Sequence, residues 1–431
     1  MVLGLGSDTL SQEHLENLQY YKYAAVDKSF VSQHILRHYW NFSVKLFPLW
    51  MAPNLITLIG LLFMVFNILL VVIYVPDFDY ETQNPPSWIF YSFAIGLWLY
   101  STFDNVDGKQ ARRTGTSSPL GELFDHGCDA LNATYVAILQ IAALGLGKDG
   151  LLMNIIFITT TVGFYLSTIE EYYTGVLYLG YINGPCEGII VTCLAYLWSG
   201  WFGVSSWHIP FSEVDGLKWI TKFGVIPETT TGAQFFAWGF FAFLILTHVP
   251  VVIYSMYKAC QQKKLNFYQV SLHAFTPIIL FSLAQYAWSL SSTSIVVSGG
   301  HFLLFALANG TLFGLMVSSV ILAHLTKQKF PNLFTLVLPV IIISLLINAK
   351  SVIGIRLISP TIELVLIWLQ FITFVFIYGT WIKVVIDGFC KYLGIRCLVI
   401  VKKDTLDHAE QGNASTSSDN QYGTFSSNNN N

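Results

Sequence analysis

The sequence contains few charged residues. Only 11% of its 431 residues are Asp, Glu, Lys or Arg, and 54% are hydrophobic, whereas roughly a quarter of the residues in an average soluble domain are charged. So few charges cannot cover the surface of a water-soluble protein of this length. Hydrophobic runs of about 20 residues, the length that crosses a bilayer, recur along most of the chain. The composition excludes a soluble globular protein and predicts an all-α, polytopic transmembrane helical bundle.

Cysteine is also scarce, and its positions follow no pattern. The six cysteines are scattered between Cys128 and Cys397, with no CxxC pair and no regular spacing. This argues against both a disulfide framework and a zinc site. The net charge of −3 gives no reason to expect a nucleic-acid partner, and no internal repeat indicates an inverted-repeat transporter.

Ten hydrophobic segments are predicted to span the membrane. If both termini are cytosolic, seventeen Lys and Arg residues fall on the cytosolic side of these segments and five on the far side. This bias follows the positive-inside rule and supports an even number of spans. The predicted spans are residues 53–74, 88–107, 122–145, 151–170, 185–202, 232–256, 271–291, 301–324, 331–348 and 361–382.

The chain divides into four predicted parts. Residues 1–50 form a cytosolic N-terminal and interfacial segment, in which residues 28–49 mix apolar and cationic side chains at helical spacing. This spacing predicts an amphipathic helix lying in the membrane interface. Residues 51–202 carry the chemical motifs, and residues 203–390 contain the remaining spans. A cytosolic tail, 391–431, is rich in Ser and Asn from about residue 405, which predicts disorder there.

Four aspartates at the facing ends of the second and third spans carry the main chemical signal. Asp104 and Asp107 are i and i+3, and Asp125 and Asp129 are i and i+4, so each pair projects from one face of its helix. A short Gly/Ser/Pro turn between the spans would bring the four carboxylates together. Oxygen ligands suit Mg²⁺ or Mn²⁺, and two such ions about 3.5–4 Å apart serve in-line displacement at phosphorus.

Residues beside the aspartates fit a phosphate-bearing ligand. Gly108 and Gly121 allow a bulky ligand close to the helix backbones, and Arg112 can bind a phosphate. With Ala111 they complete the pattern D-x2-D-G-x2-A-R-x8-G-x3-D-x3-D without a gap. This pattern resembles the signature of the CDP-alcohol phosphotransferase family, and eight fixed positions within 26 residues make the match very specific.

Other segments resemble the eukaryotic choline/ethanolamine phosphotransferase branch of that family. This resemblance implies transfer of phosphocholine or phosphoethanolamine from CDP-choline or CDP-ethanolamine to diacylglycerol, with release of CMP. It also implies an endoplasmic reticulum or Golgi membrane, an active site facing the cytosol, and a homodimer. The segments are YKYAAVDKS (21–29), APNLIT (52–57), FDHGCDA around the second aspartate pair, EEYYTG (170–175) and NGPCEG (183–188).

The resemblance implies roles for the acidic residues. Asp104, Asp107 and Asp125 would hold two Mg²⁺ or Mn²⁺ ions. Asp129 would both contact metal and take the proton from the diacylglycerol hydroxyl. His126 remains a rival base, because imidazole is suited to proton transfer near neutral pH. On an ideal helix, however, His126 points away from the direction that Asp125 and Asp129 share.

The resemblance also implies where the CDP-alcohol lies. Its cytidine and phosphates would cover Gly108, Ala111 and Gly121, with Arg112 on the phosphate. Asn54, at the start of the first span, is placed to reach the nucleotide or to cap its own helix.

Acidic and aromatic residues near the fourth and fifth spans are candidates for a head-group pocket. Glu171, Tyr172 and Tyr173 end the fourth span, and Glu187 opens the fifth on the same side. They offer choline or ethanolamine negative charge and cation–π attraction. The alternative is an interfacial aromatic belt with charges at helix ends.

Two other functions are alternatives to this one. A related enzyme would use another CDP-alcohol or another lipid acceptor, such as an alkyl-acyl-glycerol or ceramide. A cation transporter would need carboxylates distributed across the bilayer, whereas all four aspartates cluster at one end of their spans. Because both head groups demand a cation pocket, the sequence does not separate choline from ethanolamine.

Overall fold

The computed structural model describes residues 10–216, 218–222 and 226–400, so the predicted disorder from residue 405 lies outside the described residues. Within these described residues, ten helices of 14 residues or more make up most of the fold. They are α1 (Pro53–Tyr74), α2 (Trp88–Thr114), α3 (Pro119–Leu144), α4 (Gly150–Thr174), α5 (Ile189–Phe202), α6 (Gly232–Lys263), α7 (Phe267–Ser289), α8 (Phe302–Leu325), α9 (Phe334–Ile347) and α10 (Pro360–Leu393).

Among the described residues, seven of these helices are long and apolar enough to cross a membrane: α1, α3, α4, α6, α7, α8 and α10. The other three coincide with the remaining predicted spans. Helix α2 has 27 residues but carries the charges of the aspartate motif, while α5 and α9 have 14 residues each. All ten predicted segments are therefore helical, and the prediction of a polytopic helical membrane protein is confirmed.

Short elements connect and precede the long helices. The segment predicted to lie in the membrane interface is helical in three consecutive pieces and exposes Ile35, Phe42 and Leu46. The short helices are Gln12–Glu16, Asn17–Tyr20, Ser32–Leu36, Arg37–Ser43, Val44–Leu46, Tyr80–Gln83, Gly184–Gly188, Val204–His208, Phe211–Glu213, Lys218–Lys222 and Ala349–Ile353.

Helix α3 lies at the centre of the bundle. It packs against α1, α4, α5 and α8, and α8 packs in turn against α10. Small residues permit this close approach: a Cβ atom added to Gly310 of α8 would overlap the side chain of Thr134 of α3. A Cβ atom at Gly96 of α2 would likewise overlap Asn67 of α1. The second carboxylate pair is therefore carried by a helix that packs against four other long helices.

The chain before α1 runs across the end of the bundle that carries the aspartates. Its strand β1 (Ala25–Asp27) pairs in parallel with β2 (Leu177–Leu179), which follows α4. Upstream of β1, the Asn17 side chain donates a hydrogen bond of 3.0 Å to the backbone oxygen of Thr326, just after α8. Residues 17–31 are called the strap below.

Candidate active site

The turn between α2 and α3 contains residues that end one helix and residues that begin the next. Helix α2 is followed by Gly115, whose φ of 69° lies in the left-handed region that glycine adopts readily. Helix α3 begins after Ser118, whose hydroxyl accepts a hydrogen bond from the Gly121 N–H at 3.3 Å. Pro119 occupies the first helical position, where its missing N–H costs no hydrogen bond. This is the predicted Gly/Ser/Pro turn, and it brings the two aspartate pairs to one end of the bundle.

The four aspartates converge at that end. Carboxylate oxygens of Asp104, Asp125 and Asp129 all lie within 4.8 Å of one another. Asp107 contacts the carboxyl group of Asp125 and accepts a hydrogen bond from the hydroxyl of Thr57 in α1. The spacing of the motif therefore produces the grouping of carboxylates that it predicts.

At least one carboxylate oxygen of this group accepts no hydrogen bond. Asp129 Oδ1 accepts a hydrogen bond of 2.6 Å from the Tyr100 hydroxyl. Asp125 Oδ1 is buried and accepts none from the described residues. An unpaired buried oxygen carries a large desolvation penalty, which a bound cation would offset. Three converging carboxylates with such an oxygen fit a hard divalent cation, Mg²⁺ or Mn²⁺.

The residues predicted to bind the nucleotide border this carboxylate group. The guanidinium of Arg112 lies over Gly108, with its Nη1 atom 3.6 Å from where a Cβ would stand. At Gly121 the nearest atom to such a Cβ is Asn54 Oδ1, at 3.7 Å. Ala111 lies in the last turn of α2. Both glycines thus leave backbone accessible beside a polar side chain, as a phosphate-bearing ligand requires.

A second polar cluster lies beside the aspartates, and no sequence motif predicts it. Glu122 of α3, Glu171 of α4 and His324 of α8 bring possible ligand atoms within 4.8 Å of one another. His126 lies next to this cluster, with its Nδ1 atom 3.6 Å from Glu171 Oε2. Glu122 precedes Asp125 by one turn of α3, so the two acidic groups are neighbours.

Two tyrosines of the predicted head-group pocket form an aromatic group beyond Glu171. The rings of Tyr172 and Tyr173 are 4.9 Å apart and edge to face. Tyr173 stacks on Phe330 with ring centres 5.9 Å apart. The Tyr172 hydroxyl donates a hydrogen bond of 2.7 Å to the backbone oxygen of Gln328. These rings line the chain that follows α8.

Glu187, the remaining residue of that predicted pocket, binds the strap. It accepts hydrogen bonds from the Ser29 hydroxyl and, at 3.0 Å, from the backbone N–H of Asn183. Through these contacts Glu187 anchors the residues that follow β1.

Known proteins resemble this chain over nearly its whole length. Residues 50–209 match the family model described as CDP-alcohol phosphatidyltransferase. The chain is 36% identical to cholinephosphotransferase 1 of Saccharomyces cerevisiae over 403 residues, which cover 91% of this chain and 98% of that protein. It is 35% identical to choline/ethanolaminephosphotransferase 1 of the same yeast over 392 residues, 90% of this chain and 96% of that protein.

A human relative is also similar. The chain is 31% identical to ethanolaminephosphotransferase 1 of Homo sapiens over 352 residues, which cover 80% of this chain and 84% of that protein. The matched family region contains α1 to α5 and therefore all four converging aspartates. The protein is a membrane enzyme that belongs to the CDP-alcohol phosphatidyltransferase family.

Proposed function

We propose that the protein is a diacylglycerol choline/ethanolaminephosphotransferase. It transfers phosphocholine or phosphoethanolamine from the CDP-alcohol to diacylglycerol, forms phosphatidylcholine or phosphatidylethanolamine, and releases CMP. The observation that carries the proposal is the convergence of Asp104, Asp125 and Asp129 within 4.8 Å, beside accessible glycine backbone. The names of the yeast and human relatives supply the two head groups.

Enzymes of this family depend in general on divalent metal ions, and the four aspartates would hold two Mg²⁺ or Mn²⁺ ions here. When bound, the ions would neutralise the negative charge of the diphosphate and of the leaving CMP. Gly108, Ala111 and Gly121 would underlie the nucleotide. Arg112 would donate hydrogen bonds to a phosphate, and Asn54 would contact the nucleotide next to Gly121.

The reaction is a displacement at the phosphorus that carries the alcohol. The diacylglycerol hydroxyl oxygen forms a bond to this phosphorus, and the bond to the oxygen bridging it to CMP breaks. CMP leaves with that electron pair, and the hydroxyl proton passes to a base of the protein. Because CMP is a stable anion, the chain needs to position reactants rather than supply a strong acid.

Two side chains compete for the role of base, and their contacts favour His126. Asp129 is engaged by the Tyr100 hydroxyl and by the other carboxylates, which suits a metal ligand. His126 lies outside that group. Its Nδ1 atom is 3.6 Å from Glu171 Oε2. A carboxylate on one ring nitrogen orients the imidazole, so the other nitrogen can accept the proton.

We also propose that the enzyme lies in the endoplasmic reticulum or Golgi membrane with both termini and the site in the cytosol, as a homodimer. The support is the excess of Lys and Arg on the side of the motif. Soluble CDP-alcohols are also available on that side.

The test is lipid synthesis by the purified protein with diacylglycerol, Mg²⁺ or Mn²⁺, and equal amounts of CDP-choline and CDP-ethanolamine. Product from either donor supports the proposal, and the product ratio gives the head-group preference. Lipid formed only from other CDP-alcohols or other acceptors would replace it with the related enzyme activity. Activity that survives complete chelation of divalent ions would contradict the role given to the aspartates.

A further inference from the structure

The strap is attached to each helix that contributes to the second cluster. On α3, Glu122 accepts a hydrogen bond from the hydroxyl of Tyr21. Helix α4, which carries Glu171, continues into β2, and β2 pairs with β1 of the strap. His324 belongs to α8. The strap makes two further contacts with the chain that follows this helix. The strap therefore contacts Glu122 directly and the chain that adjoins the helices of Glu171 and His324.

The two contacts at the end of α8 involve neighbouring strap residues. Asn17 donates a hydrogen bond of 3.0 Å to the Thr326 backbone oxygen. The ammonium of Lys327 lies 4.7 Å from the centre of the Tyr20 ring. These contacts fix the strap before Tyr21, and the pairing of β1 with β2 fixes it after Tyr21. The position of the Tyr21 hydroxyl is therefore determined by more than the bond to Glu122.

The position of Glu122 matches the length of the donor's head group. In phosphocholine and phosphoethanolamine the nitrogen follows phosphorus through the sequence P–O–C–C–N. A phosphate bound near Asp125 therefore places the cationic nitrogen about one helical turn away, roughly 5 Å. Glu122 lies one turn from Asp125 on the same helix, and its carboxylate is fixed by Tyr21.

We propose that Tyr21 is a positioning residue that sets the choice between choline and ethanolamine by holding the carboxylate of Glu122. This inference rests on the proposed function. The trimethylammonium of choline has no N–H and is attracted by charge alone, so it depends on where the carboxylate is held. The primary ammonium of ethanolamine donates hydrogen bonds, so it gains when a carboxylate oxygen is released from Tyr21.

The experiment compares Tyr21→Phe, which removes the hydroxyl and keeps the ring, with Tyr20→Phe. Tyr20→Phe is the matched control, because the contact of Tyr20 with Lys327 uses the ring. Steady-state kinetics of the full-length protein are measured with each donor at fixed diacylglycerol. In Tyr21→Phe we expect the kcat/KM ratio of CDP-ethanolamine to CDP-choline to rise about three- to tenfold. The KM for diacylglycerol should not change, and Tyr20→Phe should keep the wild-type ratio.

A donor that is bound but not turned over is measured as a competitive inhibitor of the other donor, and its affinity in the variant is then compared with its affinity in the wild type. An unchanged ratio in Tyr21→Phe, or an equal shift in Tyr20→Phe, would overturn the proposal. Wild-type protein that turns over neither donor would instead contradict the proposed function, before any variant is compared.

A second comparison tests whether Tyr21 acts through Glu122. In a Glu122→Gln background, Tyr21→Phe should produce no further change in the donor ratio, because the carboxylate that it holds is gone. A shift of the same size in both backgrounds would show that Tyr21 acts independently of Glu122.

Discussion

His126 and Asp129 have different partners, and substitutions at the two positions should have different effects on turnover. Asp129→Asn keeps an oxygen ligand but loses charge, so we expect turnover to fall strongly and to recover partly at high Mg²⁺ or Mn²⁺. His126→Gln removes the proposed proton acceptor, and we expect a loss of about 10²–10⁴-fold that added metal does not restore. Both variants should still bind the CDP-alcohol. Full activity in His126→Gln would assign the base to Asp129.

Two adjacent arginines, Arg112 of the motif and Arg113, can also be distinguished by substitution. Arg112 lies over Gly108, whereas Arg113 donates hydrogen bonds of 2.9 and 2.8 Å to the backbone oxygens of Val44 and Phe47. We expect Arg112→Ala to raise the KM for both CDP-alcohols about tenfold or more, since a charge-assisted phosphate contact is lost.

Arg113→Ala is the matched control for this prediction. It should leave the donor KM near the wild-type value and lower the melting temperature, because it releases the helical segment that precedes α1. Equal effects of the two substitutions on KM would contradict the assignment of Arg112 to the phosphate.

At the level of single residues, the sequence predicted the groups that lie close together in the chain. The aspartates, Gly108, Gly121 and Arg112 fall within one turn and its two flanking helices, so helical spacing was enough. The neighbours of Glu171 were not predictable in this way. His324 comes from a helix much later in the chain, and Glu122 occupies a position that the motif leaves open.

At the level of elements, helix positions were predictable but some ends were not. The predicted second span stops at residue 107, whereas α2 continues to Thr114. The predicted last span stops at 382, whereas α10 continues to Leu393. Hydropathy falls where charged residues begin, but backbone hydrogen bonding continues beyond that point until Gly115 or Gly394 ends the helix.

Helices α3 and α8 approach each other closely near the middle of α3. Gly310→Ala would force a methyl group into the side chain of Thr134. We expect a destabilisation of about 1–3 kcal/mol, observed as a lower melting temperature of the purified protein.

Gly379→Ala in α10 is the matched control for that substitution. It introduces the same methyl group into a helix where nothing lies within 4 Å of the added atom. We expect its melting temperature to equal or exceed that of the wild type, since alanine favours helix over glycine. Equal losses in the two variants would show that helix packing at Gly310 is not the cause.

At the scale of the whole molecule, orientation can be tested with single cysteines. Lys148 follows α3 at the end away from the aspartates, and Lys264 follows α6 at the other end. In sealed microsomes we expect Lys264→Cys to react with a membrane-impermeant maleimide, and Lys148→Cys to react only after permeabilisation. The six native cysteines are buried or half-buried, and the parent protein gives their background. The reverse labelling pattern would place the site in the lumen.

The overall architecture was also predictable from the sequence. Low charge and ten apolar segments were sufficient, because lipid allows only helices or closed barrels to satisfy backbone groups. The central position of α3 could not be predicted, since lipid-facing and buried faces of a membrane helix are similarly apolar. Strand β1 was not predicted, since three residues form a strand only beside a partner about 150 residues later.

The attachment of the strap has a consequence for the order of folding during synthesis. The strap leaves the ribosome before helices α1 to α10, yet its partners are Glu122, β2 and Thr326. It can reach its final place only after the chain has been synthesised to the end of α8. During most of translation Glu122 and the neighbouring acidic groups therefore lack their contacts with the strap, although the strap is synthesised before α1.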